Sequence, residues 1–224
     1  MARKVKKRKI KLKKLFLFLI FIGVLFLLLK FLFALKIKNI TVSGNTIYSD
    51  WEIIEKASLS SYPSSLENLS LNIEKKLEED PFIKKASVSK SFLTDVSIKV
   101  EENLPLFYYL PSGKTILKDG SEVSSDFPVP TVINYVPDKI YSSLISKMGS
   151  SDYSILKRIS EIKYDPNDVD DERFFLSMND GNDVYLTLEK FGKIDNYLSI
   201  IKEFDNKKGT LYLDSGEYFE IRVS

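Results

Sequence analysis

Apolar residues run almost unbroken from Leu15 to Leu35 (LFLFLIFIGVLFLLLKFLFAL), then give way to short amphipathic stretches over the rest of the 224-residue chain. The run is 21 residues long and Lys30 is its one charge. As a helix rising ~1.5 Å per residue it spans roughly 31 Å, matching the ~30 Å hydrocarbon core of a bilayer. Lys30 lies close enough to the outer end for its amine to reach the headgroups while its stem stays in lipid. The pattern predicts one transmembrane helix over 15–35, with Leu15 and Leu35 at its ends and Phe26 within it. A basic start before an apolar run also fits a cleaved signal peptide, but Ala34 and the Leu35-Lys36-Ile37 beside it lack the small-residue pattern of a cleavage site.

Beyond the span the period changes. Ile40 and Val42 alternate with polar neighbours before Gly44-Asn45, predicting a half-buried strand within Ile37–Asn45. Ser49 followed by Glu52 is a capping box, and the helix it opens carries Trp51, Ile53, Ile54 and Ala57 on one face. Ser58 to Ser65 reads as a loop. Leu66, Leu69, Ile73 and Leu77 predict a second helix that stops at Asp80, because Pro81 disfavours helical geometry in the residue before it. Two strands follow, one around Ala86 and Val88, the other Asp95–Glu102 with Val96, Ile98 and Val100 on one face. The order β-α-α-β-β gives a three-stranded sheet with both helices on one side.

The second half is β-rich. Leu106–Leu110 and Lys114–Lys118 flank Pro111-Ser112-Gly113, and Asp119-Gly120 marks another turn. Val129–Val136, with prolines at 128, 130 and 137, reads as at best an edge strand. Asp138 is placed to cap a helix with a stripe of Ile140, Tyr141, Leu144, Ile145 and Met148, ended by Gly149. A shorter segment, Ser151–Arg158, leads to a strand at Ile159–Tyr164. Arg173–Met178 and Asp183–Leu188 flank the turn Asn179–Asn182. A helix over Gly192–Phe204, with Ile194, Leu198 and Ile201 on one side, precedes two strands, Gly209–Leu213 and Glu217–Val223. The expected fold class is α+β, organised as a basic tail (1–14), a transmembrane helix (15–35), a β-α-α-β-β domain (36–104) and a mixed β-rich domain with a C-terminal helix and hairpin (105–224).

The formal net charge of +2 hides a division. Residues 1–14 hold nine Lys/Arg and no acid, whereas after Leu35 23 basic groups face 31 acidic ones. Basic clusters beside a span stay on the cytoplasmic side, so the N-terminus is expected inside and the domains outside, a single-pass type II arrangement in the cell membrane. The tail has no interleaved aromatics and the outer part is acidic, which argues against nucleic acid as a partner. The chain has no Cys and no His. That removes disulfides, thiol nucleophiles, Ser-His-Asp arrangements and the usual zinc sites. The acidic run Asp165, Asp168, Asp170, Asp171 and Glu172 is the best metal candidate, but it fails as an EF-hand loop: Val169 takes a ligand position and Asp170 stands where the turn needs Gly. No carboxylate pair or Ser/Lys dyad stands out as catalytic. No catalytic residue, metal, cofactor or small-molecule substrate is expected. Binding has a better case: the aromatic stretch EYFEIRV has no following segment to cover its edge, and an open edge offers N–H and C=O groups to another chain.

Several pieces then recur in a known order. Val42, Gly44 and Asn45 form V-x-G-N; Leu77, Pro81, Ile83, Ala86 and Val88 form L-x-x-x-P-x-I-x-x-A-x-V; Ile98, Val100, Glu102 and Pro105 form I-x-V-x-E-x-x-P. Directly after a basic tail and one span, this series resembles the POTRA domain of the FtsQ/DivIB family of bacterial cell-division proteins, and the final helix and hairpin are similar in arrangement to that family's β domain. The resemblance implies a non-catalytic scaffold of the septation complex, located at the division septum, that binds the bitopic coiled-coil partners FtsB/DivIC and FtsL. It implies a partner-binding site in the final turn and strand, at Leu213, Ser215, Glu217, Tyr218, Phe219 and Ile221, with Asp214 and Gly216 in the turn. Thr210-Leu211-Tyr212-Leu213 departs from the D-L-R-Y-like run common there. The alternative from residues alone is a membrane-anchored cell-wall hydrolase or peptidase using carboxylates or a Ser/Lys pair. A POTRA protein of outer-envelope assembly is disfavoured because no barrel-forming strand series follows.

Overall fold

A computed structural model of the chain describes residues 12–205 and 207–222. Most of the basic tail, residues 1–11, and Val223 lie outside the described residues. The chain divides into two compact units, Met1–Glu102 and Asn103–Ser224, each with its own hydrophobic core.

The first unit opens with α1 (Leu12–Ala34), of which Lys13–Ala34 is long and apolar enough to cross a membrane. Its large apolar side chains, Leu15 and Phe26 among them, are exposed all round, as suits a helix whose solvent is lipid. Leu35 falls one residue past the helix. Its N–H still donates to the Leu32 carbonyl at 3.2 Å, while its own carbonyl accepts from Ser65 N–H at 3.0 Å.

The β-α-α-β-β order follows as β1 (Asn39–Ser43), α2 (Asp50–Lys56), α3 (Ser70–Glu78), β2 (Ile83–Ser91) and β3 (Asp95–Glu102). The sheet order is β1-β3-β2, with β1 parallel and β2 antiparallel to β3. Ile53, Ile54, Ala57, Ile73 and Leu77 from the helices close over Ala86, Val88, Val96, Ile98 and Val100. The capping box forms: Glu52 accepts from Ser49 N–H at 2.8 Å and Ser49 Oγ accepts from Glu52 N–H at 3.3 Å. Trp51, expected on the buried face, is exposed; at 3.6 residues per turn it stands nearly opposite Ile53. The second helix begins later than Leu66. The Lys90 amine donates to the carbonyls of Ser65 and Asn68, and Asn68 Nδ2 to the Ser64 carbonyl at 2.8 Å, which holds that stretch as a turn and leaves Leu69 as the exposed N-cap.

Two of the motif pieces meet. Gly44 has φ +86° and a Cβ there would sit 2.2 Å from the Val100 carbonyl oxygen, so only glycine allows this approach. One turn of chain later, the Glu102 carboxylate accepts the N–H groups of Thr46, Ile47 and Tyr48 at 2.5, 2.7 and 3.1 Å. V-x-G-N and the glutamate of I-x-V-x-E thus close the same corner.

The second unit is built on β4 (Pro105–Tyr109), β5 (Lys114–Leu117), β6 (Glu122–Val123), β7 (Thr131–Val132), α4 (Asp138–Met148), α5 (Tyr153–Leu156), β8 (Ile159–Tyr164), β9 (Arg173–Met178), β10 (Asp183–Thr187), α6 (Tyr197–Glu203), β11 (Gly209–Tyr212) and β12 (Tyr218–Ile221). The strands form one nine-stranded sheet in the order β12-β11-β10-β9-β8-β7-β4-β5-β6. Ile140, Leu144, Met148, Leu156, Phe191 and Ile201 pack onto Phe107, Val132, Ile162, Leu176, Val184 and Leu211. β7 is not an edge: it lies between β4 and β8, parallel to both. It pairs over only Thr131-Val132, so the prolines fall outside the paired residues, and Pro130 contributes its carbonyl to Tyr108 N–H at 2.9 Å. Asp138 is the first helical residue rather than the cap of α4, since Pro137 holds the N-cap position.

β10 and β11 are parallel, and the crossover this requires is a 3-10 turn, Phe191–Asn196, running into α6. Three residues per turn bring Phe191, Ile194 and Tyr197 to the sheet in succession, which leaves Leu198, expected on that side, exposed.

Candidate partner-binding edge

Among the described residues β12 ends the sheet, paired with β11 on one side only. Arg222 N–H donates to the Lys208 carbonyl at 2.8 Å. Bonded pairs alternate in an antiparallel ladder, so Glu220 and Tyr218 also turn their backbone groups to β11. The N–H and C=O of Phe219 and Ile221 therefore point outward. The contrast is β2, an edge of the other sheet. There the N–H groups of Ala86 and Val88 are taken by carboxylates of α3, Glu78 at 2.9 Å and Glu74 at 2.7 Å. One edge is blocked by side chains and the other is left open.

The turn before β12 is fixed from beneath. Arg173 Nε donates to Asp214 Oδ2 and its Nη1 to Asp165 Oδ2, both at 2.7 Å. The guanidinium lies over the Tyr185 ring at 3.8 Å. The Lys190 amine donates to the Asp214 carbonyl, and Ser215 N–H to Asp214 Oδ1 at 2.7 Å. Burial alone would raise the Asp214 pKa, but the donors from Arg173 and Ser215 outweigh it and hold the carboxyl below its usual range. Asp165, bonded by Lys163 and then by Arg173, is lowered likewise. The acidic run is thus used in the fold: Asp165 pairs with Arg173, and Asp170 Oδ1 accepts from Glu172 N–H at 2.8 Å. Among the described residues no three carboxylates converge on a point where a metal ion would sit.

On the sheet face away from the core, aromatic rings stack across four strands. Phe175 meets Tyr185 at 5.0 Å, Tyr185 meets Tyr212 at 5.4 Å, and Tyr212 meets Tyr218 at 4.6 Å. On the other face Phe219 lies against Phe204 of the α6 end at 4.9 Å. A groove of about 210 Å³ runs there between α6 and β12, floored by Ile200, Phe204, Leu211 and Phe219, with Glu203 and Glu217 at its rim.

Of the six residues expected at the site, five are at the surface of this edge. Ser215 and Glu217 are exposed in the turn, Glu217 paired with Lys193. Tyr218 is 51% and Ile221 42% exposed, and Phe219 is half-buried. Leu213 is the exception. It is 1% exposed in the core and its N–H donates to the Tyr185 carbonyl at 2.8 Å, so it holds the hairpin and offers nothing to a partner. Phe175, Tyr185 and Tyr212 in the ladder and Phe204 in the groove join this edge without being among the residues expected there. The signal for the three ladder residues is an aromatic at strand positions that alternate with the core residues Phe174, Leu176, Val184, Leu186, Leu211 and Leu213; Phe204 follows α6 and carries no such pattern.

Residues 35–103 match the model of the POTRA domain, FtsQ-type. The cell division protein DivIB of Bacillus subtilis (strain 168) is 32% identical over 194 residues, covering 83% of this chain and 74% of that protein. DivIB of Geobacillus kaustophilus is 28% identical over 195 residues, covering 82% and 74%. The solved major extracytoplasmic domain of DivIB from Geobacillus stearothermophilus is 19% identical, with a TM-score of 0.40 over 47% of this chain and 97% of that one. An N-terminal helix long and apolar enough to cross a membrane, followed by a POTRA domain and a mixed β domain, defines the class of protein. The chain belongs to the DivIB family of cell division proteins.

Proposed function

We propose that this chain is a non-catalytic scaffold of the septation complex, anchored by α1 with its N-terminus in the cytoplasm, that holds partners through its outer domains. The partners are bitopic coiled-coil proteins of the FtsB/DivIC kind, with FtsL joining them. The basic cluster before the span supports the orientation. The observation that carries the reading is the open edge of β12, where Phe219 and Ile221 direct backbone groups outward beside an apolar groove. A partner strand adds there by main-chain bonds, and apolar side chains of the partner fill the groove. The DivIB relatives are division proteins, which supports the setting.

The test is binding of the full chain, in nanodiscs, to a purified FtsB/DivIC-type partner. Ile221→Pro removes an outward N–H without touching the bonds to β11. It is expected to weaken binding by about tenfold or more, since a lost hydrogen bond and its desolvation amount to about 1–3 kcal/mol. Unchanged affinity in a folded variant would sink the assigned edge. Measurable peptidoglycan turnover would oppose the scaffold reading itself.

A further inference from the structure

The turn between β2 and β3 is unusual in composition. Phe92 and Leu93 have φ of 50° and 61°, the left-handed conformation that two-residue hairpins reserve for Asn and Gly. Phe92 is nevertheless 89% and Leu93 39% exposed. Phe92 is thus held in a strained conformation facing outward with almost none of its ring covered, beside a leucine that is part covered and part exposed.

The turn is tied to the chain that leaves the span. Lys38 N–H donates to the Thr94 carbonyl at 2.8 Å and Asn39 Nδ2 to Asp95 Oδ1 at 2.7 Å. Lys38 is only four residues past Ala34, the end of α1. Four residues reach at most about 14 Å even fully extended, so the turn lies close to the membrane surface whatever the angle of the span. α3 brings further apolar groups to the same end. It runs antiparallel along β2, with Glu78 on Ala86 and Glu74 on Val88, so its N-terminus lies toward the turn with Leu69 and Leu71 exposed. Lys36 and Lys38 are exposed there too, while Lys90 is engaged by the Ser65 and Asn68 carbonyls and Asp95 by Asn39.

We propose that the Phe92-Leu93 turn, flanked by Leu69 and Leu71, inserts into the interfacial layer of the bilayer that α1 crosses, making a second membrane contact that fixes the domain's tilt on its tether. Aromatic and leucine side chains favour that layer, and the adjoining lysines match anionic headgroups. The inference rests on α1 being a span, and the experiment separates the two.

The chain has one tryptophan, Trp51. It is exposed in the first turn of α2, three residues past Tyr48, whose N–H is held by Glu102, and Glu102 lies about 26 Å along β3 from the turn. Full-length protein is reconstituted into vesicles containing anionic lipid, and tryptophan quenching by lipids brominated at shallow or deep acyl positions is read. The wild-type fluorescence of Trp51 is expected to be solvent-like and unquenched. In a Trp51→Phe background, Phe92→Trp is expected to shift to the blue and be quenched by shallow bromines, and Phe26→Trp by deep ones. Quenching at position 26 but not at 92 overturns the proposal and leaves the span standing. A blue shift at 92 without lipid quenching also overturns it, because protein then covers the turn. No quenching at either position removes both readings. As a second arm, Phe92→Asn with Leu93→Gly is expected to raise the thermal midpoint of the full chain by relieving strain. A lower midpoint would mean that the two side chains serve the fold and not the membrane.

Discussion

The ring of Tyr218 lies on that of Tyr212 at a centroid separation of 4.6 Å and an interplanar angle of 14°. The two residues are direct cross-strand partners, so the stack carries the aromatic ladder of β9, β10 and β11 onto the last strand. β12 is only four residues long, and an edge strand of that length needs such side-chain pairing to stay in register. A double-mutant cycle with Tyr212→Ala and Tyr218→Ala is expected to give a coupling of about 0.5–1.5 kcal/mol in urea unfolding. Additive effects would mean that the stack does not hold the hairpin.

Gly44 and Glu102 make a sharper prediction for the POTRA domain. Gly44→Ala places a methyl group 2.2 Å from the Val100 carbonyl oxygen at a φ of +86°, so the corner must open. A loss of about 1–3 kcal/mol or more is expected from the strained conformation and the clash. Glu102→Ala leaves three backbone N–H groups without their acceptor and is expected to cost about 1–3 kcal/mol or more. Denaturant midpoints of the two variants check both. Gly120→Ala makes the comparison, since it has a similar φ of +85° but no heavy atom within 4 Å of the added methyl.

These corners also explain what the sequence made legible. Local rules worked where the signal is local: the Ser49/Glu52 box starts α2 as read, and alternating Val96, Ile98 and Val100 mark β3 over the residues expected, Asp95–Glu102. They failed where a distant group decides. Lys90 takes carbonyls that a longer α3 would have used, and β7 enters the middle of the sheet despite its prolines because two residues suffice for the bridge. At the candidate edge, the turn and the strand were readable from Asp214-Ser215-Gly216 and the aromatic run. The inward role of Leu213 and the ladder through Tyr185 were not, since both depend on the parallel pairing of β10 and β11.

The Arg173 network predicts an acid response. The Asp214 and Asp165 carboxyls have pKa values below their usual range when folded. Their ion pairs therefore contribute in full above the unfolded value of about 4, and the contribution is lost as pH falls through the lowered values. Urea midpoints measured from pH 6 down to pH 2 are expected to fall below pH 4. Asp214→Asn is expected to start lower at pH 6 and to fall less steeply. An equal slope in the variant would mean that Asp214 is not linked to folding.

Gly209 is where the fold and the proposed binding edge depend on one another most directly. Its N–H donates to Asn182 Oδ1 at 2.9 Å, and Asn182 Nδ2 donates to the Tyr197 hydroxyl at 2.9 Å, so the start of β11 is pinned to the β9–β10 turn and to α6. On the other side a Cβ at 209 would meet the Glu220 carbonyl oxygen at 2.1 Å and the Phe219 ring at 2.8 Å. The pinned side has no room to yield, so Gly209→Ala must displace β12. Hydrogen exchange of the β12 amides is expected to accelerate while that of β8 and β9 stays as in the wild type, because the core strands do not depend on the hairpin. Partner affinity is expected to fall with the loss of β12 protection. Gly192→Ala, with no heavy atom within 4 Å of the added methyl, is expected to leave both readouts unchanged. If Gly209→Ala loosens β12 and the partner still binds with full affinity, the partner uses another surface, and the edge has to be abandoned as the site.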